Sequence, residues 1–559
     1  MQQRQFAAGE EICRTGDPSE SMWVITAGLV HWLAPTTAGA GDFELRLRKG
    51  DVIGAQDCIT GEPRTATVVA NLPTTALELS AEDIKALASE QPLILLNVVG
   101  HLRKRLVRAS AAGATTRGEE IALVAGPSLK SAVPAIVAAA RSATARTVTF
   151  MDRRLSVAGT LSASDQAANE NATVIIPNDL EPESLAILLQ AVDRVVLLLG
   201  SAAEAQSVAG VLADAPRGNL EIMLVSDEAE GASTAWPSAA RGLIVRACSR
   251  ASGEFPLEDE DARWLARHLT RTKLGLALGA GGAKGYAHVG VLQVIEEAGF
   301  TVDNVGGSSI GGFVATHVGL GYTAAEIHER FGRAFDPETV TTMFSNPLGG
   351  GSVGIETLTK LLQEATENRS FSHAVMPLVV MTVDLDAHRA LPIRQGSLWQ
   401  ALAAALSVAG VFPAQERDGH RLVDAIALVP VPSAAVYDDG ADLVVSVNLL
   451  GGNVLEKWPG VPDEPEEEAP KKRRRGMLDT MLEVMDLSQL DTSKRLAELA
   501  DVAITPQFGP ADWRDFHLAD LFVAAGRKAA EEQLPKLQEL SKPVDLEAAH
   551  REAAMMAPL

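Results

Sequence analysis

The sequence predicts a multidomain fold: an N-terminal β-barrel or jelly roll with helices behind it, a middle α/β domain, and a motif-rich C-terminal α/β domain. Three observations lead there. The chain has 559 residues, and at about 150 residues per domain that means three or four domains rather than one. Turn signals recur at short intervals near the N-terminus, at Ala8-Gly9-Glu10, Gly16-Asp17-Pro18, Ala27-Gly28 and Lys49-Gly50-Asp51, the spacing of a small all-β unit. Beyond residue 118, apolar runs of β type alternate with Ala- and Leu-rich helical stretches, the pattern of parallel sheets.

Composition narrows the function classes. Lys and Arg number 49 against 72 Asp and Glu, a formal charge of −23, which argues against nucleic acid as a partner. Apolar residues are 47% and charged residues 22%, ordinary for a soluble globular protein. The three cysteines, Cys13, Cys58 and Cys248, lie far apart. That excludes a disulfide scaffold and fits a reducing, cytoplasmic setting. No CxxC or HExxH motif occurs, so no metal is expected. The N-terminus shows no secretory signal, and no apolar run reaches the length of a membrane span. Membrane contact, if made, would be peripheral, at the inner face.

In chain order, residues 1–115 read as short strands followed by a helix, with Ile84, Leu87, Val98, Val99, Leu102 and Leu106 at helical spacing. Residues 118–268 read as an α/β layer with strands at Ile121–Val124, Val148–Phe150, Thr173–Ile176, Val195–Leu199 and Glu221–Val225. No chemical constellation stands out there. Residues 272–455 form a second α/β unit. Residues 456–478 hold the acidic run Asp463, Glu464, Glu466, Glu467 and Glu468, then Lys471, Lys472, Arg473, Arg474 and Arg475, with several prolines, and read as a solvated, flexible excursion. The basic run could touch anionic headgroups, but the acids beside it favour a plain solvated loop. Residues 479–545 read as mostly helical, with a strand-like Val502–Ile504.

The chemistry is concentrated between residues 273 and 425. A buried-type strand, Lys273–Gly279, runs into Gly279-Ala280-Gly281-Gly282-Ala283-Lys284-Gly285 and then a helix over Tyr286–Ala298. Such a loop presents backbone N–H groups at a helix N-terminus, suited to a phosphate or to a developing oxyanion. The Walker pattern fails because Lys284 precedes its glycine. The dinucleotide pattern fails because Lys284 stands where the third glycine belongs. Next, Gly307-Ser308-Ser309-Ile310-Gly311 matches G-x-S-x-G between a strand at Val302–Val305 and a helix at Ile310–Leu320. That context makes Ser309 a candidate nucleophile on a sharp elbow turned by Gly307 and Gly311. Ser308 falls one position off and reads as a capping or packing residue. A serine needs a base, and an acid-then-histidine order would offer Asp424 with His517, or His420 out of order.

The strings LALGAGGAKGYAHVGVL, GGSSIGG and LSVAGVFPAQERDGHRLVDAIALVPVPS together resemble the patatin-like phospholipases. The resemblance implies a serine hydrolase that uses a Ser–Asp dyad without histidine and needs no cofactor. It implies Ser309 as nucleophile, Asp424 as general base, and the backbone of Gly281, Gly282 and Ala283 as oxyanion hole, with Lys284 in place of the usual Arg. The implied substrate is a carboxylic ester of a phospholipid or lysophospholipid. One position departs: the acid usually precedes Gly, and here Ala425 follows Asp424. A special φ at that glycine would be costly for Ala425, so a non-catalytic sensor or scaffold with a decayed site is the competing reading. His288, His317 and His517 are read as structural.

Residues 5–110 resemble a cyclic nucleotide-binding domain, carried by Gly9-Glu10, Gly16, Lys49-Gly50-Asp51-Val52-Ile53-Gly54 and Pro63-Arg64-Thr65-Ala66-Thr67. The resemblance implies Arg64 as a contact for a cyclic phosphate. The acidic residue that should accept from the ribose is replaced by Ala55-Gln56, which argues against nucleotide binding. A barrel ahead of a patatin-like domain resembles bacterial relatives of neuropathy target esterase.

Overall fold

We describe the protein from a computed structural model. The structure describes residues 2–83 with short gaps at 8, 28, 36–41, 49–50, 71–73 and 81. It then describes 119–143, 148–152, 172–176, 194–200, 204, 220–226, 244–251, 257–343, 352–450 and 477–555 except 251's neighbours 252–256 and residues 410, 510 and 512. The helix expected over residues 84–106 and the charged excursion before residue 477 lie outside the described residues. The chain divides into two compact units, residues 1–270 with 544–559, and residues 271–543.

The first unit begins with two four-stranded antiparallel sheets. One orders the strands Gln2–Phe6, Thr74–Ser80, Ser21–Ala27 and Val52–Ile53; the other orders Glu11–Cys13, Thr67–Ala70, Leu29–Pro35 and Asp42–Arg48. Alternation puts Trp23, Ile25, Val30, Val68 and Ala76 into one core. Further along, six parallel strands form a single sheet in the order Val148–Asp152, Ala172–Ile176, Glu119–Ala125, Arg194–Leu199, Leu220–Ser226 and Ile244–Ser249. The strand Arg194–Leu199 is buried along its whole length, as an all-parallel sheet covered by helices requires. The last helix of the chain, Leu546–Met555, returns to this layer: Leu546 and Ala549 join the same core as Ile121, Ile136 and Leu265, and Asp545 N–H donates to Ser142 Oγ at 3.2 Å.

The second unit is built on an eight-stranded mixed sheet. Five strands run parallel, in the order Leu378–Asp384, Val302–Ser308, Leu274–Leu278, Leu443–Val447 and Val502–Ile504. The strand His420–Asp424 joins antiparallel to Leu378–Asp384, with Thr382 opposite Asp424. Glycine governs the helix packing. The helices Tyr286–Glu297 and Ala519–Leu540 cross so closely that a Cβ on Gly290 would meet the Val523 backbone and one on Gly526 the Ala287 carbonyl. Arg527 clamps the crossing with two hydrogen bonds to the Glu297 carboxylate, at 2.7 and 2.8 Å. The sheet and the long helix after it therefore continue well past the strand that ends at Asp424. Among the described residues no helix is long and apolar enough to cross a bilayer.

The crossing is testable. Gly526→Ala forces a methyl against backbone that cannot yield, an overpacking cost of about 1–3 kcal/mol. Urea unfolding of the full chain should show a lower midpoint, and an unchanged midpoint would refute the close approach.

Candidate active site

Four backbone segments meet at the carboxyl edge of the central strands. The first is the glycine loop after Leu274–Leu278. Gly279 N–H donates to Val447 O at 3.0 Å and Ala280 N–H to Pro430 O at 2.9 Å. His288, wholly buried on the following helix, donates from Nε2 to Gly279 O at 2.8 Å. Burial pushes its pKa down to about 4, so the ring is neutral and serves as a pin for the loop. Gly282 has φ 58°, and a Cβ there would press on Trp513. Only glycine meets both demands.

The second segment is the elbow. Ser309 sits between the strand Val302–Ser308 and the helix Ile310–Gly319 with φ 54° and ψ −127°, a strained conformation for a residue with a Cβ. Its neighbours explain how the turn closes. A Cβ on Gly307 would fall on the Gly311 backbone, and one on Gly311 on the backbone of Leu278 and Gly279. The turn lifts Ser309 Oγ off the sheet edge, as G-x-S-x-G geometry demands. Ser308 Oγ donates to Val429 O at 2.6 Å, tying the strand end to the third segment.

That third segment carries Asp424. Its backbone N–H donates to Ser407 O at 3.1 Å. One carboxylate oxygen accepts from Ile426 N–H at 2.8 Å, and the other accepts from Ser309 Oγ at 2.5 Å across 115 residues of sequence. Asp424 is 2% exposed. Burial pushes its pKa up to about 7, outweighing the opposing hydrogen bonds from Ser309 and Ile426. Ala425 is not among the residues with positive φ. Its methyl is buried against Val379, Met381 and Ala435, so the backbone at this position does not require glycine.

In the fourth segment, residues 508–518, the sequence drew attention to His517 alone. Its Phe508 lies under the Lys284 ammonium and its Trp513 against Gly282, and Trp513 O accepts from Ala283 N–H at 2.6 Å. Of the three residues Gly281, Gly282 and Ala283, the last therefore has its N–H occupied. Gly281 and Gly282 donate to no partner among the described residues. Between these segments opens a cleft lined by Ser309, Phe335, Met343, Phe412, Trp513 and Phe516 among others, almost all apolar. Lys284, at the glycine-loop end, is the charged residue in that lining.

The histidines are engaged elsewhere. His420 Nδ1 lies 2.8 Å from the Asp384 carboxylate. His317 is buried between the carbonyls of Phe313 and Ala365. His517 is exposed on a single 3-10 turn. Among the described residues no group of three His, Cys, Asp or Glu side chains could hold a metal ion.

In the N-terminal sheets, Arg64 is 3% exposed. Its guanidinium donates to Gly54 O at 3.1 Å and Ser21 O at 2.5 Å and stacks over Trp23 at 4.8 Å. A Cβ on Gly54, which has φ 67°, would meet that guanidinium. The cation that would face a phosphate is thus bound to the domain's own carbonyls, and Ala55-Gln56 supplies no carboxylate beside it.

Comparison with known proteins gives a consistent picture. Residues 276–435 match the patatin-like phospholipase family model and residues 3–91 the cyclic nucleotide-binding domain model. An uncharacterized NTE family protein of Mycobacterium bovis is 24% identical over 95% of this chain and 91% of its own length. Patatin-like phospholipase domain-containing protein 6 of Mus musculus is 30% identical over 33% of this chain and 14% of its own length. A solved cyclic nucleotide-binding domain from Methylobacillus flagellatus is 24% identical over 20% of this chain and 65% of that one, with a TM-score of 0.19. The chain accordingly carries a patatin-like phospholipase domain behind a cyclic nucleotide-binding domain, and is similar over almost its whole length to NTE family proteins.

Proposed function

We propose that the chain is a serine esterase that hydrolyses carboxylic ester bonds of phospholipids or lysophospholipids through Ser309 and Asp424. The observation that carries the reading is the 2.5 Å hydrogen bond from Ser309 Oγ to a buried carboxylate at the wall of an apolar cleft. The carboxylate takes the hydroxyl proton as Oγ attacks the ester carbonyl. A tetrahedral oxyanion forms within reach of the Gly281 and Gly282 N–H groups, each such donor contributing about 3–4 kcal/mol. Collapse expels the alcohol, which takes the proton back from Asp424. Water, deprotonated by the same carboxylate, then frees the acid from the acyl-enzyme. A carboxyl that titrates near neutrality is a far better base than one of ordinary pKa.

The decayed-site alternative rested on the changes at Ala55 and Ala425, and the absence of a positive φ at Ala425 argues against the second of these grounds. Labelling of the full chain with a fluorophosphonate probe decides between them. The wild type should label, while Ser309→Ala should not, and Asp424→Asn should lose at least about a hundredfold in rate. His517→Ala and His420→Ala should label like the wild type. A folded wild type that takes no label would end the hydrolase reading, and loss of activity in either histidine variant would end the dyad.

The pH profile follows from the sign of the Asp424 shift. The base must be ionised, and burial places its pKa at about 7. The value of kcat/KM should therefore fall as pH drops through about 7. A limb near pH 4 instead would show a solvated carboxylate and refute the buried base.

For the N-terminal domain the reading is an interaction or regulatory module that does not depend on a cyclic nucleotide. Millimolar cyclic AMP or cyclic GMP should leave the thermal unfolding of the full chain unshifted. A clear rise in midpoint would mean that Arg64 leaves Gly54 and Ser21 to meet a ligand.

A further inference from the structure

The cleft is only partly walled by residues 276–435. One wall, and the cover over the glycine loop, come from beyond that stretch. Phe508 is buried, packs edge-on against Phe522 at 5.5 Å, and has the Lys284 ammonium over its ring at 5.6 Å. Trp513 accepts the Ala283 N–H and lies on the face of Gly282 where no Cβ fits. Phe516 stacks on Phe335 with ring centroids 5.2 Å apart and planes 13° apart. Phe335 in turn is held edge-on by Phe313 at 5.2 Å and Phe331 at 5.1 Å. Phe516 is thus the half-buried outer member of an aromatic stack whose inner members are rooted in the core.

From this geometry we infer that Phe508, Trp513 and Phe516 determine substrate specificity, with Phe516 reading the length of the substrate's hydrocarbon chain and Trp513 positioning the glycine loop. The inference rests on the hydrolase reading and deepens it. The occupant of the cleft is a long, straight acyl chain. Its carbonyl stays at Ser309 beside Gly281 and Gly282, and its methylenes run along Phe335, Met343, Phe412 and Phe516. A polar group among those side chains would lose its water without gaining a partner, so headgroups stay outside. A long acyl group gains more from this apolar lining than acetate does, so it loses more when the Phe516 ring is removed. Trp513 acts through the glycine loop and is a positioning residue. Its carbonyl engages Ala283 and leaves the two preceding amides free to aim at the reacting carbonyl.

The experiment measures kcat/KM of the full chain on p-nitrophenyl acetate, butyrate, octanoate and dodecanoate, for wild type, Phe516→Ala and Phe516→Leu. In Phe516→Ala the dodecanoate-to-acetate ratio should fall about tenfold, the range that apolar pocket contacts span. Phe516→Leu, which keeps an apolar branch, should recover part of it. A ratio that stays constant across the series, whether every ester slows equally or none does, overturns the inference while leaving the esterase reading intact. A wild type that hydrolyses no ester and takes no fluorophosphonate label overturns the esterase reading itself, and the inference with it. If Phe516→Ala does not fold, the Phe516→Leu ratio against wild type decides alone. Trp513→Phe, which keeps the backbone carbonyl, should lower KM-independent turnover less than a glycine insertion after Trp513, which displaces it. Equal turnover in the two would remove Trp513 from the positioning role.

Discussion

A hydroxyl on a strained turn and a carboxylate at the end of an antiparallel strand meet at 2.5 Å only because backbone approaches backbone more closely than side chains allow. Gly307, Gly311 and Gly282 each sit where a Cβ would strike main chain. Strain at Ser309, with φ 54°, is a local cost that the surrounding packing sustains. The helix behind the elbow is buried along its whole length, from Ile310 to Gly319, so the turn has nowhere to relax. Everything else in the unit positions these few segments. His288 and the carbonyls of Val447 and Pro430 hold the glycine loop. Ser308 holds the strand end to Val429, and Ser407 holds the acid.

Burial has opposite consequences for the two kinds of titratable group around this edge. It drives His288 toward the neutral form, which suits a ring that only donates to a carbonyl. It drives Asp424 toward neutrality too, but that carboxyl keeps two hydrogen-bond donors that favour the charge. The balance leaves a carboxyl whose pKa lies at about 7 beside the Ser309 hydroxyl, the environment that the proposed base requires. The cleft beyond it is lined almost wholly by apolar side chains, a low-dielectric setting in which electrostatic contacts are stronger than in water.

The N-terminal domain shows the reverse economy of a polar site. Arg64 would be an expensive residue to bury without partners. Two backbone carbonyls and the face of Trp23 supply them from within the chain, and Gly54 makes the space. A side chain suited to gripping an anion has become part of the interior. The middle sheet completes its own core differently, by recovering the far end of the chain at Leu546 and Ala549.

By itself the sequence determined the fold class and five of the six described strands of the middle parallel sheet. Runs such as Val195–Leu199 and Lys273–Gly279 are apolar without interruption, and only a doubly covered strand tolerates that. It also singled out Ser309, through a glycine spacing that makes sense only between a strand and a helix, and Asp424, through resemblance. The short apolar run at residues 244–249 gave no comparable signal, although the structure makes it the edge strand of the middle sheet. Three things were decided by tertiary structure alone, because each is a contact between segments far apart in the chain. One is the placing of Trp513 on Gly282, which takes the Ala283 N–H out of the set of open donors. Another is the inward turn of Arg64, since a sequence records the cation but not the carbonyls it will find. The last is the state of Asp424: its pKa reflects how much water the folded cleft removes, a quantity that no local pattern of residues contains.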